Sequence, residues 1–140
     1  MTVLPEGAFG ERVARRLRAE TLVWLITVGA DGTPQPNPVW FLWDGADGVL
    51  IYTKSDAVRL AHVAARPQVA LHFQASDAGG DIVVLTGTAR VSDDTPAPDA
   101  NQAYLEKYRT ATERVSGSVG EFATEYPVPM MVHIGRVRGF

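Results

Sequence analysis

Ile26-Thr27-Val28-Gly29-Ala30-Asp31-Gly32-Thr33-Pro34-Gln35-Pro36-Asn37-Pro38-Val39-Trp40-Phe41 is the stretch of this 140-residue chain that says most about its fold. Asp-Gly tolerates the positive φ angles of a tight hairpin. Ala30-Asp31-Gly32-Thr33 is therefore expected to join a strand over Leu22 to Val28, apolar on both faces, to a second over about Pro36 to Trp43. Pro34, Pro36 and Pro38 stand two apart, and N–H groups two apart along a strand point to the same edge. That edge lacks three successive donors, while Gln35, Asn37 and Val39 keep theirs on the other side. The proline side reads equally well as an edge blocked against aggregation and as a rigid rail along which a flat ligand lies.

Outward from the hairpin, residues 6–18 predict an amphipathic helix. Phe9, Val13 and Leu17 recur every four positions, and Arg12, Arg15, Arg16 and Arg18 read as a solvated face, with an anion or membrane contact as the alternative. After the turn Asp44-Gly45-Ala46-Asp47-Gly48, a third strand is expected at about Val49 to Thr53, and a short helix from Asp56 to Ala65 ends at Arg66-Pro67. A fourth strand, Val69 to Gln74, alternates Val69/Leu71/Phe73 with Ala70/His72/Gln74, and a fifth runs from Ile82 to Val91. Ser92 to Ala100 reads as an exposed loop. Helices follow at about Asn101 to Thr112, where Tyr104 and Tyr108 share a face, and at Val119 to Thr124. The chain closes on a strand, Met130 to Arg138. The connections are mostly too short for parallel crossovers, so an antiparallel sheet is expected. Six strands of this length close into a barrel to remove exposed edges. Length and the absence of a linker or repeat predict one domain over 1–140.

Composition narrows the function. A net charge of −3 argues against a nucleic-acid binder. The apolar runs are far shorter than the roughly 20 residues of a membrane span. Pro5 and Glu6 follow the first four residues where a secretory signal would need an apolar stretch. Cysteine is absent, which removes disulfides and thiolate chemistry and fits a cytoplasmic location. His62, His72 and His133 have no metal-ligand spacing. His62 is expected to be exposed, while His72 and Gln74 share a polar strand face that meets water, a partner subunit or a ligand. Leu85-Thr86-Gly87-Thr88 reads as a strand with a glycine bulge rather than a phosphate loop. No nucleophile or acid–base pair stands out. Such a chain either binds passively or takes its chemistry from a cofactor.

An anchor for a cofactor is offered by Tyr52-Thr53-Lys54-Ser55-Asp56-Ala57-Val58-Arg59. With Ser55 or Asp56 as helix N-cap, Ser55 and Arg59 meet on one helical face and Lys54 enters from the strand end. A hydroxyl, two cations and free helix N–H groups make a phosphate pocket. Asp56 opposes that reading, and a capped surface helix with an Asp56–Arg59 pair is the plain alternative. Lys54 and Lys107 are the only lysines among 13 cationic residues.

Taken together, these segments resemble the pyridoxamine-phosphate-oxidase-like split β-barrel superfamily. The hairpin quoted above is similar to its opening hairpin. Ile51-Tyr52-Thr53-Lys54-Ser55, Arg59-Leu60 and Arg66-Pro67-Gln68-Val69-Ala70-Leu71 are similar to its phosphate-binding region. Leu85-Thr86-Gly87-Thr88-Ala89 resembles a later barrel strand, and Ile134-Gly135-Arg136-Val137-Arg138-Gly139 resembles the last one. The resemblance implies a six-stranded antiparallel split β-barrel of the FMN-binding type with short flanking helices. Within the superfamily the chain looks like the actinobacterial branch that uses coenzyme F-420, an 8-hydroxy-5-deazaflavin, with FMN as the alternative. The resemblance implies homodimers with cofactor clefts between subunits, Pro36, Asn37, Pro38, Val39 and Trp40 beside the ring, and Lys54, Ser55 and Arg59 on the phosphate. Tyr52, Thr53, His72 and Gln74 complete the expected cofactor-binding set, with no metal. The implied activity is hydride transfer between reduced deazaflavin and a small unsaturated substrate. No residue is assigned a catalytic role, with solvent and Tyr52 as proton sources. The alternatives are an FMN-dependent enzyme and a non-catalytic flavin, deazaflavin or haem module. The longer Arg-rich patterns and C-terminal substrate residues of true pyridoxamine phosphate oxidases are missing, which puts vitamin B6 oxidation in doubt.

Overall fold

The computed structural model describes residues 2–140. Helix α1 (Ala8–Ala19) is followed by β1 (Val23–Val28), β2 (Pro34–Val39), β3 (Leu42–Trp43) and β4 (Gly48–Thr53). After these come α2 (Val58–Ala65), β5 (Gln68–His72) and β6 (Val83–Val91). A 3-10 turn (Pro98–Ala100), α3 (Gln102–Ser116), α4 (Val119–Glu125) and β7 (Val128–Gly139) complete the chain. One curled sheet runs in the order β2-β1-β5-β6-β7-β4-β3, and every neighbouring pair is antiparallel. Among the described residues no helix is long and apolar enough to cross a membrane.

The hairpin forms as its turn chemistry requires. Gly32 sits at φ +87°, the Gly29 N–H donates to the Thr33 carbonyl at 3.0 Å, and the Thr33 N–H donates to Asp31 Oδ1 at 3.0 Å. Strand β2 pairs with β1 alone, Pro34, Pro36 and Pro38 standing opposite Val28, Ile26 and Trp24. The donor-free side of the proline run is thus a sheet edge.

The sheet has seven strands rather than six, because the expected Pro36–Trp43 strand breaks at Trp40 and Phe41. The cause lies in α3. The Phe41 N–H donates to the Tyr108 hydroxyl at 3.0 Å, and the Phe41 carbonyl accepts from Lys107 Nζ at 3.1 Å. Both backbone groups are withdrawn from any ladder. Further along, the register of β6 and β7 shifts between Thr86 and Gly87. This is the bulge expected at Gly87, where a side chain would collide with the His133 carbonyl.

Alternation along the strands builds two cores. Val23 and Leu25 of β1, Val49 and Ile51 of β4, Leu71, Leu85 and Ile134 point inward and meet Val13 and Leu17 of α1. The four-residue spacing of Phe9, Val13 and Leu17 is the face that seals this core. All six residues of β4 are buried, since its other face, Leu50 and Tyr52, lies under Tyr104, Tyr108 and Phe122 of α3 and α4. Nothing comparable covers the outer face of β1 and β5, where Trp24, Ile26, Val28 and Ala70 are partly exposed.

Candidate functional site

The break between β2 and β3 opens one wall of a cavity of about 220 Å³. Pro38, Val39 and Trp40 line it from that break, Tyr52 from β4, Arg59 from α2, Tyr104 and Val115 from α3, Phe122 from α4 and Tyr126 just beyond. One side of it is a continuous aromatic stack. Trp40 stacks on Tyr108 at 5.0 Å between centroids and on Phe122 at 5.4 Å, and Phe122 stacks on Tyr126 at 4.6 Å. Rings stacked in contact fill the space between them, so Trp40, Phe122 and Tyr126 form one rigid aromatic wall of the cavity.

The polar groups here differ in how far they are committed. The Tyr52 hydroxyl donates to the Pro96 carbonyl and accepts from Asn101 Nδ2 at 3.0 Å. It ties the Ser92–Ala100 loop to the barrel, and its proton is taken. Arg59 has neither a hydrogen bond nor an ion pair among the described residues. Burial pulls its guanidinium below the usual range, with Tyr126 opposing. Lys54 is exposed, its Nζ 5.3 Å from the centre of the Tyr126 ring. Thr53 is 1% exposed and its Oγ1 has no partner. Thr53 follows Val49 and Ile51 on the barrel-core face of β4, opposite Tyr52, and does not line the cavity. Two cations beside an aromatic wall suit an anion attached to a flat group.

Of the residues expected from sequence, the fold brings Pro38, Val39, Trp40, Tyr52 and Arg59 to one cavity and sets Lys54 against its Tyr126 wall. Pro36 and Asn37 are exposed further along the edge strand, and Ser55 is exposed in a turn. The helix start is corrected. Residues 54–57 form a turn in which the Ala57 N–H donates to the Lys54 carbonyl at 3.1 Å. Helix α2 begins at Val58 with Ala57 as N-cap and no side-chain cap, so Ser55 and Arg59 do not share a helical face, and Asp56 does not pair with Arg59. His72 and Gln74 do not line the cavity. His72 stacks on Trp24 at 6.2 Å and joins the cross-strand row Pro38, Trp24, His72; the exposed Gln74 accepts from Arg16 through its carbonyl. His62 is partly buried, its Nδ1 2.9 Å from Thr27 Oγ1.

The far wall, Tyr104, Val115, Phe122 and Tyr126, had no site role in the sequence reading. Its only local signal is the four-residue spacing of Tyr104/Tyr108 and Phe122/Tyr126, which also describes an ordinary buried stripe.

A sequence model of pyridoxamine 5'-phosphate oxidase matches residues 9–126. The chain belongs to this family. In the oxidase family's terms, the hairpin, the β4–α2 junction and the aromatic wall up to Tyr126 all fall inside the match. Solved structures agree on the fold. An F-420 reductase is 25% identical over 96% of this chain and 98% of its own, with a TM-score of 0.66. General Stress Protein 26 from Bacillus anthracis is 14% identical over 91% of this chain and 89% of its own, at 0.68. HutZ, the haem storage protein from Vibrio cholerae, is 11% identical over 99% and 95%, at 0.62. A search of curated proteins gives no match.

Behind the aromatic wall, Lys107 supports the family fold in a pH-dependent way. Its Nζ lies 3.8 Å from the centre of the Phe41 ring, and burial lowers its pKa to about 8, with Glu20 partly opposing. The unfolded chain holds this proton up to about 10.5. Between these values the unfolded state binds more protons, so the contribution of Lys107 to stability rises with pH and is lost as pH falls through 8. Thermal melts of wild type and Lys107→Met are expected to show a difference in Tm that moves in favour of wild type from pH 8 to 10. A difference independent of pH sinks the assignment.

Proposed function

We propose that this chain is an oxidoreductase that binds coenzyme F-420 through its phosphate and delivers hydride to a small unsaturated substrate. The observation that carries the reading is Arg59, a partly buried guanidinium without an anionic partner beside an aromatic wall. Partial desolvation of an unpaired charge is unfavourable, and a bound phosphate relieves it. Lys54, beside the Tyr126 wall, supplies a second cation to the same anion. The likeness to an F-420 reductase over nearly the whole chain supports deazaflavin over FMN. When bound, the deazaflavin supplies the hydride. The chain's own residues hold the phosphate, and the proline edge with Trp40 flanks the ring and keeps water from it.

The whole chain acts in this reading as one cofactor-binding domain of a cytoplasmic homodimer. The outer sheet face supports the dimer. Pro38, Trp24, His72, Val84 and Arg138 form one cross-strand row, and Pro36, Ile26, Ala70, Thr86 and Arg136 the next. A largely apolar surface of this kind, ending in arginines, fits a second copy that would close the cleft beside the exposed Pro36 and Asn37.

Absorbance titrations with coenzyme F-420 and with FMN test the cofactor. Saturable, tighter binding of F-420 is expected, and Lys54→Ala is expected to weaken it roughly ten-fold, the scale of one charge-assisted hydrogen bond. Tight FMN binding with no F-420 binding overturns the deazaflavin assignment. Unchanged affinity in Lys54→Ala removes Lys54 from the anchor.

A further inference from the structure

Helix α2 carries Arg59, and few contacts seat this helix on the barrel. Val58, Ala61, Ala64 and Ala65 are exposed, whereas Arg59, Leu60, His62, Val63 and the C-cap Arg66 are at least partly covered. Arg59, His62, Val63 and Arg66 stand at i, i+3, i+4 and i+7, which places them on one face. Of these only Val63 enters the barrel core. The rest of the seat is polar. His62 Nδ1 lies 2.9 Å from Thr27 Oγ1, and Arg66 Nε donates to the Val28 carbonyl at 2.9 Å. Both partners stand at the end of β1, where Thr27 is 2% exposed. The opposite end of α2, from which Arg59 projects, has no side-chain cap.

We propose that His62 is a positioning residue: its hydrogen bond to Thr27 fixes the roll of α2 on β1 and thereby sets the Arg59 guanidinium for the cofactor phosphate. This role rests on the phosphate anchor described above and extends it to a residue outside the cavity. His62 does not line that cavity, so it acts through the helix.

The three seating contacts are not equivalent. The apolar contact of Val63 has no preferred direction and lets the helix turn about it. Arg66 is directional but lies seven residues, about 10 Å along the axis, from Arg59. His62 is within one turn, about 4.5 Å along the axis. A hydrogen bond weakens steeply away from its line, so His62 holds the roll of the helix where Arg59 leaves it. A guanidinium fork pairs with two phosphate oxygens only when both N–H groups are aligned, so a small roll costs affinity. Thr27 on the rigid β1 strand is a fixed reference for this alignment, since β1 is paired on both sides.

The test compares binding with stability. Absorbance titrations with FMN and with coenzyme F-420, both of which carry a phosphate, are run on the full chain well below the Tm of each variant. His62→Leu and Thr27→Val are each expected to weaken binding of whichever compound wild type takes by roughly five-fold, the scale of one hydrogen bond between protein groups. His62→Asn places a hydrogen-bonding atom near the position of Nδ1 and is expected to recover most of that loss. In an Arg59→Met background, His62→Leu is expected to add no further loss, because it acts through Arg59. A residue that only supports the fold lowers Tm without changing affinity, or weakens binding equally in both backgrounds. The proposal is overturned if either His62→Leu or Thr27→Val binds as tightly as wild type, if His62→Asn binds no better than His62→Leu, or if the losses add. Binding of FMN alone removes the deazaflavin assignment and leaves this test intact, whereas a wild type that binds neither compound overturns both.

Discussion

Arg59→Met is expected to weaken coenzyme F-420 binding by about 10- to 150-fold, the equivalent of the roughly 1.5–3 kcal/mol of a hydrogen bond to a charged group. The same substitution is expected to leave the cofactor-free protein as stable as wild type, or more so. The two effects follow from one fact: the Arg59 guanidinium is partly desolvated in the free protein without an ion pair or hydrogen bond. A partly buried charge without a partner weakens the fold, and an apolar side chain of similar length removes that penalty. An ordinary structural arginine behaves in the opposite way, losing stability when replaced. Arg59→Lys keeps the charge but loses the planar fork that pairs with two phosphate oxygens, so partial recovery of affinity is expected. Titration of each variant, paired with a thermal melt of the free protein, reads both effects. Full affinity in Arg59→Met, or a large loss of stability, removes Arg59 from the anchor.

The second large effect concerns the fold. Gly87→Ala is expected to cost about 3 kcal/mol or more and to lower Tm by roughly 10 °C. A Cβ at this position would lie 1.9 Å from the His133 carbonyl oxygen and 2.8 Å from its carbon. Both atoms are backbone of the paired strand, so no side-chain rotation relieves the overlap. The bulge at Thr86/Gly87 lies within the longest pairing of the sheet, β6 with β7, and moving it disturbs the ladder on both sides. Gly120 is the matched control. It lies in α4 with open space where a Cβ would go, and Gly120→Ala is expected to add about 0.5–1 kcal/mol through helix propensity. Thermal melts of the two variants against wild type decide the matter, and a Gly87→Ala protein that melts with wild type contradicts it.

Neither site was equally visible in the sequence. Gly87 stood out as a bulge because a glycine inside a strand pattern has few other physical causes. Arg59 was visible only as one member of a phosphate-binding segment, and for a reason that proved incorrect. The expected helix start at Ser55 or Asp56 gave way to a turn from Lys54 to Ala57, a choice between two short-range hydrogen-bond patterns that residue preferences do not separate well. What makes Arg59 notable is the lack of any partner, and that is a property of the surrounding structure alone.

The amino-acid order by itself determined the Asp31-Gly32 hairpin, the proline edge, the α1 stripe and the antiparallel meander. Each depends on interactions between residues a few positions apart, or on donors that proline lacks wherever it is placed. The tertiary structure decided where the Pro36–Trp43 strand breaks, since Tyr108 and Lys107 reach Phe41 from more than 60 positions away. It also decided what each tyrosine holds. Tyr52 and Tyr108 are chemically identical in the sequence. Each spends its hydroxyl on partners far along the chain, Tyr52 on Pro96 and Asn101 and Tyr108 on Phe41, because only the packing of α3 and α4 over β4 determines which groups come within reach.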